Sequence, residues 1–234
     1  MDKAEFDNFA DEYRELHAAN IAASGETPEF FARYKVRDIA CALQGLKTTP
    51  RDILDFGCGV GASVPHLREF FASSSLIAID VSEKSLEVAR ARFPGAADFR
   101  SFDGEHIPLD DASVDLALAA CVFHHIPMQM HVPLLRELLR VLRPGGRLFV
   151  FEHNPWNPLT LRAVRNCPFD ENAVLIPNGR MRRRMAQAGF DRVECRFRLF
   201  FPHSLRALRP AEAALAWCPL GAQYSASGTK GPAA

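Results

Sequence analysis

The chain has 234 residues, of which 48% are hydrophobic, enough for one α/β domain with a sizeable core. Its 28 basic residues balance its 28 acidic ones, which argues against a nucleic-acid binder needing a basic surface to neutralise phosphates. No apolar stretch reaches the roughly 20 residues of a membrane span, and no signal-peptide pattern opens the chain, so a cytoplasmic location is expected. The six cysteines, at 41, 58, 121, 167, 195 and 218, form no C-x-x-C pair, so neither a zinc site nor a disulfide framework is signalled.

Residues 4–22 read as a helix with Phe6, Phe9, Tyr13, Leu16 and His17 near one face. A second helix is expected from Pro28 to Leu46. Strand and helix then alternate. Asp52–Phe56 is a strand, and a glycine-rich loop leads into a helix over 62–72. Leu76–Asp80 is a strand with its helix at 82–92, and strands follow at 97–102 and 114–121. A helix near 132–141, a Pro144-Gly145-Gly146 turn and a strand at 147–152 complete the series. Strands apolar on both faces are buried parallel strands. The fold expected is a doubly wound, Rossmann-like sheet with helices on both faces.

Beyond Asn154 the rhythm breaks, and an irregular segment is expected to about Pro177. A helix at 180–188, a strand at 193–201, a helix at 205–216 and a strand at 222–228 bring the strand count to seven. The organisation expected is a single domain, 1–234. It divides into N-terminal helices at 1–47, a core at 48–152, a substrate-side insertion at 153–178 and the rest of the sheet at 179–234.

The strongest local signal is Asp55-Phe56-Gly57-Cys58-Gly59-Val60-Gly61. It follows a strand, opens a helix, and is followed by an acid, Asp80, at the end of the next strand, the spacing of an acid that reads a ribose. Glycines there permit positive φ and close approach of backbone to ligand. A dinucleotide site has a similar layout, but its fingerprint is G-x-G-x-x-G, from which this loop departs. A carboxylate at Asp55 would repel a pyrophosphate and suits an ammonium.

This loop resembles motif I of the class I S-adenosylmethionine (SAM)-dependent methyltransferases. Ser101-Phe102-Asp103-Gly104, Asp115–Ile126 with its His124-His125-Ile126, and Leu142–Leu148 are similar to the later motifs of the type 11 subgroup, so the resemblance covers about residues 50–152. It implies SAM as cofactor. Gly57 and Gly59 would lie under its methionine part, Asp55 would meet the amino group, Asp80 the ribose, and Asp103 and Gly104 the adenine. Val81, with Ile79 and Ile107, would flank the adenine, and Cys121 would lie beside the methionine. A similar N-terminal helix covers SAM in relatives, which makes Tyr13 a candidate at the sulfonium. Lys35 is a further candidate for the pocket.

The candidate chemical groups are Tyr13, His124, Glu152 and Asn154, the last three at or after strand ends where an α/β sheet presents ligands. Trp156, Phe169 and Tyr224 are candidates for the same cavity. A metal site from His124, His125 and His153 lacks spacing, so no metal is expected. The basic run Arg180–Arg184 alternates with Met181 and Met185 and reads as a solvated helix face.

The activity implied is methyl transfer to a small molecule in bacterial secondary metabolism or polysaccharide biosynthesis. No nucleic acid or membrane partner is expected, and the chain is expected to be a monomer or homodimer. The 151–170 stretch, with Glu-His-Asn-Pro-x-Asn-Pro, is also similar to azetidine-2-carboxylate synthases of the same fold, which cyclise SAM and release methylthioadenosine. A non-catalytic SAM-binding protein is the remaining alternative.

Overall fold

The computed structural model describes residues 13–232. Seven strands form one sheet in the order β3-β2-β1-β4-β5-β7-β6. They are β1 (Asp52–Phe56), β2 (Ser75–Asp80), β3 (Asp98–Ser101), β4 (Val114–Ala120), β5 (Leu142–His153), β6 (Asp191–Arg198) and β7 (Gln223–Thr229). β1 pairs in parallel with β2 and β4, β2 with β3, and β4 with β5. β7 runs antiparallel to both β5 and β6, which departs from the all-parallel expectation. The reason is the connection: no crossover α-helix links β6 to β7, only a 3-10 stretch at His203–Leu215 that carries Pro210. Proline lacks the N–H that a regular helix there would use, so the expected 205–216 α-helix does not form.

Seven α-helices are described: α1 (Tyr13–Ile21), α2 (Pro28–Gly45), α3 (Val64–Phe70), α4 (Glu83–Arg92), α5 (His131–Val141), α6 (Pro158–Arg165) and α7 (Asn178–Ala188). Capping fixes their starts. Thr27 accepts from the Phe30 amide ahead of α2, and Ser82 accepts from the Ser85 amide ahead of α4.

Two buried clusters sandwich the sheet. Residues of α2, α3 and α4 pack with Leu116, Leu118, Phe149 and Phe151 on one face. On the other, α5 and α7 pack with Ala117, Ala119, Leu148 and Val150. Alternate residues of β4 and β5 thus face opposite layers, the period-2 rule of strands.

Two segments differ from the sequence expectation. The Pro144-Gly145-Gly146 turn is absorbed into β5, where the register against β4 slips between Val114–Leu142 and Leu116–Arg147. The 153–178 insertion contains α6, started by Asn157 as cap and Pro158 at its first position. Arg182 and Arg183 are exposed while Met181 and Met185 are buried, as the alternation in the basic run requires. No helix among the described residues is long and apolar enough to cross a membrane.

Candidate functional site

The strand order reverses between β1 and β4, and a crevice opens there beyond the carboxyl ends of the strands, where doubly wound sheets bind ligands. The crevice is a cavity of about 900 Å³. Asp55, Gly57, Gly59, Asp80, Cys121 and His125 all contribute to its wall.

The loop after β1 is held by the next strand. The amides of Gly57 and Cys58 donate to Ile79 O at 2.8 and 3.0 Å. The Gly59 amide donates to Asp80 Oδ2 at 2.8 Å, and Ser82 N donates to Asp80 Oδ1 at 2.9 Å. Asp80 therefore braces the loop from the position expected of a ribose-binding acid.

The two glycines serve different ends. At Gly57, φ is +70° and a Cβ would meet Val122 Cγ2 at 2.6 Å, so packing against the turn after β4 excludes a side chain. At Gly59, φ is +51° and no atom lies within 4 Å of where a Cβ would stand. That space belongs to the cavity and is where a ligand can approach the backbone.

Asp55 is 1% exposed, and its Oδ2 has no hydrogen-bond partner. Burial first, and Asp80 next, push its carboxyl up to about 7, against the opposing pull of Lys35. A buried carboxylate oxygen facing a cavity without a donor is the complement of an ammonium group. Lys35, reaching in from α2, is itself 7% exposed and lines the same cavity. An ammonium there suits a carboxylate. Asp55 and Lys35 thus present, on one cavity wall, groups opposite in sign to those of an α-amino acid, and this set fits the methionine end of SAM.

At the end of β4 the chain turns sharply. Cys121 takes φ +61°, unusual for a residue with a side chain, and its amide donates to Phe151 O at 2.8 Å. It lines the cavity beside His124 and His125, which sit on the 3-10 turn Phe123–His125. His124 Nδ1 lies 2.5 Å from Glu152 Oε2, and the Phe123 amide donates to Glu152 Oε1 at 2.8 Å. Asp170, at the end of the turn Pro168–Asp170, faces both histidines.

This cluster is deeply buried, and its charges are interdependent. Burial opposes a charge on His124, but Glu152 and Asp170 outweigh it and hold the imidazole well above its usual range. His124 in turn draws Glu152 below the usual carboxylate range against the effect of burial. Burial and the neighbouring His124 depress His125, and the same two causes bring His153 down to about 3.

Other expected residues lie elsewhere. Glu152 stands behind His124 instead of on the cavity wall. Asn154 is fully buried: Nδ2 donates to Pro219 O and Gly221 O, and Oδ1 accepts from the Trp156 amide. Its side chain thereby holds the chain turn after β5. Asp103 is exposed, and its Oδ1 accepts from the amides of Glu105 and His106, which lowers its pKa. Gly104 (φ +89°) packs near Val81, with a Cβ position 3.6 Å from Val81 Cγ1. Ile79 and Ile107 are buried in the core. Trp156 is 62% exposed, and Tyr224 is buried with its hydroxyl donating to Ile176 O. Phe6 and Phe9, and the side chains of Tyr13, His17 and Phe169, lie outside what is described.

Residues 54–150 match the family model described as "Methyltransferase domain". Over 103 residues the chain is 38% identical to an uncharacterised methyltransferase of Mycobacterium tuberculosis, covering 44% of this chain and 40% of that protein. It is 39% identical over 102 residues to 27-O-demethylrifamycin SV methyltransferase of Amycolatopsis mediterranei, covering 41% and 36%. The chain spans less than half the length of these curated relatives. A SAM-dependent methyltransferase structure from Thermotoga maritima superposes with a TM-score of 0.67 at 22% identity, covering 97% of this chain and 99% of that one. One from Archaeoglobus fulgidus gives 0.63 at 15%, covering 83% and 94%. Residues 54–150 thus match a methyltransferase domain, carried on a sheet with the fold of SAM-dependent methyltransferases. Its cofactor is SAM, and its α/β sheet has the strand count expected from sequence.

Proposed function

We propose that the protein transfers the methyl group of SAM to a small molecule and releases S-adenosylhomocysteine. The observation that carries this reading is the unpartnered, buried Asp55 Oδ2 together with the open face of Gly59, both residues lining the one cavity. SAM brings its own activation, since its sulfonium carries a methyl group ready for displacement. The protein's part is to bind, align and exclude water. Asp55 and Lys35 would hold the amino and carboxylate groups of the methionine end. Gly57 and Gly59 would lie beneath it and Cys121 beside it. Asp80 would take the ribose hydroxyls, and Asp103, Gly104 and Val81 the adenine.

A cavity of about 900 Å³ has room for the cofactor and a small acceptor, since ligand pockets run to roughly 300–1,000 Å³. Likeness to a rifamycin methyltransferase supports an acceptor from bacterial secondary metabolism. Tyr13 remains the candidate for the sulfonium from the N-terminal side.

Chromatography of the products made from SAM tests this. Incubation with SAM and a panel of small oxygen, nitrogen and carbon nucleophiles should yield S-adenosylhomocysteine only when an acceptor is present. Methylthioadenosine formed from SAM alone would replace methyl transfer with the cyclisation reading. Binding without either product would leave a SAM-binding protein.

A further inference from the structure

One group of side chains on the cavity wall is not used by SAM binding. His124, His125 and Asp170 all line the cavity, and one donor atom from each lies within 4.8 Å of the others. Their spacing is informative. His124 Nε2 lies 3.5 Å from Asp170 Oδ1, and His125 Nε2 lies 3.4 Å from the same oxygen. An N–H···O hydrogen bond usually spans about 2.7–3.2 Å. Two donors each about 2.0–2.1 Å from a tetrahedral zinc ion stand about 3.3–3.4 Å apart. The observed separations are long for a hydrogen bond and close to the edge of a coordination polyhedron.

The far side of His124 supports the same reading. Its Nδ1 is held at 2.5 Å by Glu152 Oε2, and Glu152 is fixed through the Phe123 amide. Metal-binding imidazoles hand their second nitrogen to a carboxylate in this way, which sets the tautomer and orients the ring. Asp170 is also well placed by backbone. Its amide donates to Cys167 O, and Val174 N donates to His124 O at 2.8 Å, which brings the insertion against the β4 turn.

We propose that His124 Nε2, His125 Nε2 and Asp170 Oδ1 form a binding site for a first-row divalent transition metal such as zinc, with Glu152 supporting His124. Two imidazoles and one carboxylate suit such an ion, whereas calcium and magnesium take oxygen ligands. Three protein ligands leave a coordination position open. All three ligands line the cavity, so the open position would be offered to an acceptor oxygen or nitrogen there. The inference goes beyond methyl transfer and does not depend on it, because binding of the metal is read without SAM.

Full-length protein stripped with a chelator is titrated with Zn²⁺ against a chromogenic competitor, and separately with Co²⁺ while visible absorption is recorded. One equivalent of Zn²⁺ should bind, and Co²⁺ should give d–d bands of a low-coordinate nitrogen–oxygen site. Asp170→Asn and His125→Gln should each weaken Zn²⁺ at least 10-fold and remove the Co²⁺ bands. Thermal melting in chelator establishes that each variant is folded, and His125→Gln decides the matter if Asp170→Asn is not. Failure of the wild type to compete for Zn²⁺ overturns the proposal. So does unchanged Zn²⁺ affinity in a folded variant, which would mark the binding as adventitious.

Discussion

Asp55 concentrates the electrostatics of the site in one carboxyl. In the folded chain its pKa rises from an ordinary 3.8 to about 7, chiefly by burial. A raised carboxyl pKa means that the folded state holds its proton longer than the unfolded state. The associated stability is present below about pH 4 and is lost as pH rises to about 7. The shift corresponds to about 4 kcal/mol as an upper figure. Asp55→Asn should therefore melt higher than the wild type at pH 8, with the gap closing toward pH 5. SAM should bind the variant roughly 10- to 150-fold more weakly, because a charge-assisted hydrogen bond contributes about 1.5–3 kcal/mol. Melting curves at the two pH values and calorimetric titration check both arms. A variant that gains no stability at pH 8, or binds SAM as tightly as the wild type, would remove Asp55 from this role. Asp55 was legible in the sequence because it sits in a local motif. Asp170 was not, since it lies 45 residues beyond His125 and only the fold brings them together.

The strand–loop–helix units of the core were read from the sequence because their signals are local: apolar runs, glycines and capping serines or threonines. The antiparallel β7 was missed, since strand direction depends on what connects β6 to it. The insertion shows the limit most clearly. Asn157-Pro158 reads equally as a turn or as a helix start, and packing decides. Asn157 Oδ1 accepts from the Thr160 amide at 2.9 Å, while Nδ2 donates to Leu220 O at 2.8 Å. One side chain thus starts α6 and ties it to the approach to β7. Asn157→Ala should cost about 1–2 kcal/mol, the upper part of the range for losing a helix cap, because the Leu220 bond goes with it. For a domain of this size that lowers Tm by roughly 2–8 °C. An unchanged Tm in scanning calorimetry would show that α6 starts without its cap.

At the scale of the molecule, two helical layers clamp a sheet whose reversal between β1 and β4 opens the crevice, and the ligand groups converge there from separate elements. Asp55 comes from β1, Asp80 from β2, Cys121 and the histidines from the end of β4, Lys35 from α2 and Asp170 from the insertion. The inner strands β1 and β4 are buried on both faces, so their ends are held firmly while the loops beyond them carry the chemistry. The sequence places the strand-end groups in order along the chain. It does not show that Glu152 and Asn154 turn away from the cavity, because that depends on partners as remote as Gly221.

Calorimetric titration of SAM into the folded chain and into Gly59→Val tests the central claim most directly. The wild type should bind one SAM per chain. In the variant, the added side chain projects into the space above the loop at φ +51°, so saturable binding should disappear while cooperative melting persists at a somewhat lower Tm. Wild-type affinity in a folded Gly59→Val, or no binding by the wild type, would contradict the placement of SAM on this loop.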